Sequence, residues 1–150
     1  MRLLLFALLF MSPMSSFAVE QWMKNRNANV LIPVIKVQDG CPLSTAEMQS
    51  IVDGEWLRAR LKKSGNAVLS FQIKLMCLDV TVDGEKIGVV TNANFRFGKI
   101  MPHAMLYKNP DYDKLLLTAS SDSGKRTVEI TLRDTIADAL TEYLQANFGS

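Results

Sequence analysis

Few residues in this chain have the type and spacing for chemistry. It holds a single histidine, His103, which follows Pro102. Ser–His–Asp and Cys–His mechanisms would both have to run through this one imidazole. One histidine makes no multi-His metal site, and the sequence places no acid beside it, so His103 is read as structural or solvated. Asp111, Asp113 and Asp122 raise the question of calcium. The D-Y-D spacing lacks the further acids, central glycine and closing glutamate of an EF loop, and the run from Asn109 to Asp113 reads as a turn. Thioethers bind Cu(I), but Met1, Met11 and Met14 lie in the leader. Met23, Met48, Met76, Met101 and Met105 show no M-x-M or M-x-x-M spacing and read as core filling. There is no G-x-S-x-G, H-E-x-x-H, C-x-x-C, P-loop or G-x-G-x-x-G, and no two acids stand out as a glycosidase pair. No catalytic residue, cofactor site or metal site is therefore expected.

Two cysteines remain, Cys41 and Cys77. Their worth depends on compartment. Residues 3–11 are nine apolar residues behind Arg2, broken by Ser12 and Pro13 and followed by Ser16-Phe17-Ala18. A basic start, a short apolar core and a small-x-small end make a secretory signal peptide cut after Ala18. The run is about half of what spans a bilayer. The mature chain is expected to be soluble, periplasmic or secreted, and there an even pair of cysteines favours a Cys41–Cys77 disulfide.

Charge adds little. Seventeen Lys and Arg face fifteen Asp and Glu, with no block of five or six like charges, so neither nucleic acid nor a polybasic membrane patch is indicated. The densest basic group, Arg58, Arg60, Lys62 and Lys63, sits at the end of an expected helix, where cations complement the dipole.

The elements that must position these residues follow from periodicity. Residues 19–29 are a flexible lead-in of poor propensity, and 30–148 form a single domain. Residues 30–37 are apolar and β-branched and read as a buried strand, with Pro33 marking an unpaired side or a bulge. Ser44-Thr45-Ala46-Glu47 is a capping box, with Leu43 and Met48 placed as a hydrophobic staple. The helix is expected to run to about Lys63, stopped by Ser64-Gly65-Asn66, with Met48, Ile51, Val52, Trp56 and Ala59 on one face. Leu57 and Leu61 lie on the far side, which is expected to be covered too. From residue 67 the apolar positions are odd: Leu69, Phe71, Ile73, Leu75 and Cys77. At Cys77 the phase flips to Leu78, Val80 and Val82, and Asp83-Gly84 signals a type I′ hairpin turn. The returning strand is odd again, at Ile87, Val89, Ala93, Phe95 and Phe97.

A two-residue turn at 83–84 pairs residues whose numbers sum to 167, which sets Phe71 against Arg96. One extra residue in the first strand near Cys77 makes the sum 166 and sets Phe71 against Phe95. The expectation is a long hairpin, about 67–82 and 85–99, bulged around Cys77. Short strands are expected near 104–107 and 115–118, then a final helix to about Asn147, capped by Ser123 or Thr131. The fold class is α+β: a mostly antiparallel sheet of about four strands with a long bulged hairpin and two helices packed on one face. If the first two strands run parallel, Cys41 and Cys77 meet at one end of the sheet.

With strong signals that all serve the fold, the chain reads as a non-catalytic accessory or interaction protein that binds another envelope or secreted protein, such as an assembly factor, inhibitor or immunity protein. The alternatives are a module for a small apolar ligand or lipid and, behind it, a small hydrolase using isolated acids or His103. An exposed apolar patch or open sheet edge would favour the first, a large apolar pocket the second, and a buried acid in a cleft the third.

Overall fold

The computed structural model describes residues 23–63, 69–99, 106–108 and 112–149. The order is β1 (Ile32–Val37), α1 (Thr45–Arg58), β2 (Leu69–Val82), β3 (Glu85–Lys99), β4 (Leu106–Lys108), β5 (Lys114–Ala119) and α2 (Asp122–Phe148). The expected signal peptide and its cleavage at Ala18, His103, Asp111, Met101, Met105 and the stop at 64–66 lie outside the described residues.

β1 runs parallel to β2, and the other strand pairs are antiparallel. β4 pairs with residues 96–98 of β3, and β5 with residues 88–93 of the same strand. They lie end to end along one edge, so five strands fill four positions, and the class is α+β with a mostly antiparallel sheet. Pro33 is accommodated because β1 is an edge strand.

Both helices pack on the face that carries the odd residues of β2 and β3. Leu69, Phe71, Ile73, Leu75, Ala93, Phe95 and Phe97 share one core with Met48, Ile51, Val52 and Trp56 of α1 and Val128, Leu132, Ile136, Leu140 and Tyr143 of α2. A file of rings crosses this core. Trp56 lies 6.0 Å from Phe71, Phe71 4.7 Å from Phe97, and Phe97 5.9 Å from Tyr143. These separations suit offset aromatic pairs. The buried Trp56 indole donates to the Leu31 carbonyl at 2.9 Å, so a polar atom in the core stays satisfied.

α1 starts as expected: the Ser44 hydroxyl accepts from the Glu47 amide at 3.2 Å, and the Glu47 carboxylate accepts from the Ser44 amide at 2.8 Å. It ends at Arg58, earlier than Lys63. Arg60 takes a left-handed φ of 55°. The Arg60 amide donates to the Leu57 carbonyl and the Leu61 amide to the Trp56 carbonyl, the pair of bonds of a Schellman stop. Leu61 then turns into the core, and Lys62 exchanges backbone bonds with Asn29 and Leu31 beside β1. Leu57, expected to be covered, is 80% exposed.

α2 is capped by Ser121, not by Ser123 or Thr131. Val128 and Leu132 face the core while Ile130 is half exposed, so the alternation around residue 130 belongs to a helix. Residues 23–30, within and just past the expected lead-in, lie against its last turns. Met23 is fully buried. Tyr143 donates to the Ala28 carbonyl at 3.0 Å, and the Asn25 amide donates to the Asn147 side-chain oxygen at 2.8 Å.

The hairpin corrects the expected bulge. Asp83 and Gly84 have φ of 52° and 84°, as a type I′ turn requires, and Val82 pairs with Glu85 and Thr81 with Lys86. The register then shifts between Val80 and Thr81, where Val80 pairs with Gly88. The extra residue is Ile87 in β3, not one near Cys77 in β2. The numerical sum of paired residues rises to 168, so Phe71 faces Phe97 and Ile73 faces Phe95. Odd still meets odd along the core face. Cys77 stays on that face opposite Thr91, and there is no phase flip.

Candidate functional site

Without a phase flip, the even residues after Leu75 point away from the helices. Leu78 pairs with Val90, and Val90 with Leu117, so three strands contribute one apolar row. In the next row Met76, Asn92 and Leu115 are aligned. Leu78 is 71% exposed, Leu115 73% and Leu117 72%. Val82 and Ile87 add half-exposed side chains on the hairpin end, which projects past β1. Gly88 lies in the same region because β5 passes very close: a Cβ there would stand 2.7 Å from the Thr118 carbonyl oxygen.

Toward the other end of the strands this face is polar and cationic. Lys36 of β1 is paired with Lys74 of β2, Lys74 with Asn94 of β3, and Gln72 with Arg96. Lys36 and Lys74 are exposed. The Arg96 Nε is buried without a hydrogen-bond partner. Gln72, Asn94 and Arg96 are half-buried. One sequence signal pointed here: Leu75, Met76, Cys77 and Leu78 are consecutive apolar residues, a run that makes both faces of a strand apolar.

The Cys41–Cys77 disulfide is formed, with Cα atoms 5.2 Å apart. It ties the turn after β1 to β2 where the parallel pairing ends, as the topology required. The other chemistry-bearing residues do not converge. Asp113 accepts from the Phe95 amide at 3.3 Å, while Asp122 opens α2. Met23 and Met48 are buried in the core, and Met76 lies on the open face. Among the described residues no group of His, Cys, Asp and Glu is arranged to hold a metal ion.

Glu55 is the buried acid. Its carboxylate accepts from Arg58 at 2.7 Å and lies 3.9 Å from Arg133. It borders an open cleft of about 310 Å³ between α1 and α2, with Ala137, Leu140, Thr141 and Leu144. A carboxylate held by a guanidinium from each helix serves as an electrostatic strap between them. Elsewhere Lys63 pairs with Asp53, Lys86 with Asp79 at 2.6 Å, and Lys125 with Glu47 at 2.5 Å. Lys125 and the Ser44 amide and hydroxyl hold the Glu47 carboxyl down at about 2, against the usual 4.5.

No protein-family model and no curated protein matches the chain. Among solved structures it is similar to rare lipoprotein B of Shewanella oneidensis, at 13% identity over 78% of this chain and 92% of that one, with a TM-score of 0.35. It is also similar to a neuraminyllactose-binding hemagglutinin homolog from Helicobacter pylori, at 8% identity over 85% and 87% of the two chains and a TM-score of 0.44. A minor lipoprotein from Acinetobacter baumannii gives 10% identity, 79% and 90% coverage and a TM-score of 0.34. These are distant likenesses and assign no role to any residue of this chain.

Proposed function

We propose that the mature chain is an envelope or secreted interaction protein that binds another protein through the outward face of its sheet and performs no chemistry itself. The observation that carries this reading is the alignment of Leu78, Val90 and Leu117, with Leu115 beside them, on a face where the three leucines stand largely in water. Single exposed apolar residues are ordinary, but large side chains aligned across three strands make a contiguous patch of the kind that marks interaction sites. The leader-like N-terminus and the disulfide support an oxidising compartment.

The test is complementation of a deletion strain. A Leu115→Ser, Leu117→Ser double variant loses function while its melting point stays close to that of the wild type, because both side chains are already in water. A His103→Ala, Asp113→Ala variant that folds retains function. The opposite pattern, with the leucine variant active and the His103 variant dead, would overturn the reading.

A further inference from the structure

We infer that the partner meets this face with a segment that is acidic at one end and apolar beside it, oriented along the strands. This rests on the interaction reading above and adds the chemistry and direction of the bound segment. The inference begins from an unfavourable arrangement. Lys36 and Lys74 are direct cross-strand partners, and Arg96 lies diagonally across from Lys74, two residues beyond its partner Asn94. Like charges directly opposite one another destabilise a sheet. Among the described residues none of these three cations has an ion-pair partner, and the buried Arg96 Nε has no hydrogen bond at all. Five cations elsewhere in the domain, Arg58, Lys63, Lys86, Lys125 and Arg133, do have a carboxylate. Among the outward residues of β1, β2, β3 and β5 the acid is Glu85, opposite Val82 at the hairpin end and away from the three cations. An anionic group of a partner would neutralise these charges and fix the register of its approach.

The apolar rows give the second half. Lys74 and Leu78 are four residues apart on one strand, roughly 13 Å. An α-helix covers that distance in about nine residues. Beyond the apolar rows the hairpin carries Asp83 and Glu85, both exposed. Along the strands the protein therefore presents cations, then apolar residues, then acids. The complementary segment runs acidic, apolar, basic. An amphipathic helix with its acidic end over Lys36, Lys74 and Arg96 has that order, which also suits its own dipole. An anionic bilayer fits less well, because approach of the apolar rows would press Asp83 and Glu85 against like charge.

The test is site-specific photocrosslinking in producing cells with the full chain. A photoreactive residue replaces Leu117, and the crosslinked peptide is sequenced by mass spectrometry. The expected adduct is one protein segment with carboxylates within about two helical turns of the crosslinked apolar residue. Its yield falls about tenfold in Lys74→Glu, Arg96→Glu, the scale on which reversing two charge contacts acts, and stays near wild type in the Arg126→Glu control. Lys74→Gln, Arg96→Gln gives a smaller fall and guards against a folding defect, with melting checked for each variant. A protein adduct whose yield ignores the charge reversals, or whose segment has no acids, overturns this inference and leaves the interaction reading standing. A lipid adduct, or flotation of the protein with phosphatidylglycerol vesicles that depends on Lys74 and Arg96, overturns both. No adduct in any variant also overturns both.

Discussion

Replacing Cys41 and Cys77 together with serine removes the covalent tie between the turn after β1 and β2. The bond closes a loop of sequence separation 36. The chain-entropy relation gives about 13 cal/mol/K for such a loop, or about 4 kcal/mol at 25 °C. For about 130 residues the unfolding entropy at the midpoint is of order 0.27 kcal/mol/K, so this loss lowers Tm by roughly 14 °C. Two local terms modify the figure in opposite directions. Cys77 is buried opposite Thr91, its sulfur 3.7 Å from the Thr91 hydroxyl, so a Cys77→Ser hydroxyl gains a partner. The Cys77 amide bond to the Gln38 side chain, at 3.4 Å, loosens with the released loop. Calorimetry of the oxidised wild type, the reduced wild type and the double variant is the assay. The reduced wild type and the variant should melt together, about 10–15 °C below the oxidised protein, with the variant indifferent to reductant. A shift of less than about 3 °C would refute the loop-entropy reasoning. It would mean that the 38–43 connection holds residual order in the unfolded chain or that the bond strains the native state.

Phe71→Ala should cost about 3–5 kcal/mol, because Phe71 is fully buried between Trp56 and Phe97 and empties the middle of the ring file. Urea unfolding should show a lower midpoint at unchanged slope; a loss under about 1 kcal/mol would mean that the core closes around the gap. Glu47→Gln tests the capping box through pH. The Glu47 carboxyl titrates near 2 in the folded chain and near 4.5 when free. Its stabilisation is therefore complete above about 4.5 and lost as pH falls towards 2. The wild type should melt higher than the variant at pH 6, and the gap should close by pH 2; a gap independent of pH would show that the Lys125 and Ser44 contacts do not depend on the charge.

Most of the local architecture was legible in the residues. Ser44 and Glu47 announce the start of α1, Asp83-Gly84 announces the turn, and the odd apolar residues from Leu69 to Cys77 announce the core face. Each is a short-range device whose partners lie within a few residues, so sequence spacing is enough. The disulfide was legible because compartment and a parallel β1–β2 pair both pointed to it. The end of α1 was not. Arg60 adopts a left-handed conformation because Lys62 is recruited to Asn29 and Leu31, some thirty residues earlier in the chain.

The hairpin register was decided by tertiary packing. An extra residue in either strand restores odd against odd, one raising the pairing sum and the other lowering it, and periodicity cannot distinguish them. The chosen register sets Phe71 against Phe97, between Trp56 of α1 and Tyr143 of α2. The face proposed for binding depends on that choice. Lys36 and Lys74 are far apart in the chain and become neighbours only through the parallel register. Leu78 and Leu117 share a row only because both pair with Val90. Residue types and spacing determined which elements form and which faces turn inward, because those depend on local geometry and water. Which side chains stand together on the outward face was left to the long-range pairing of strands.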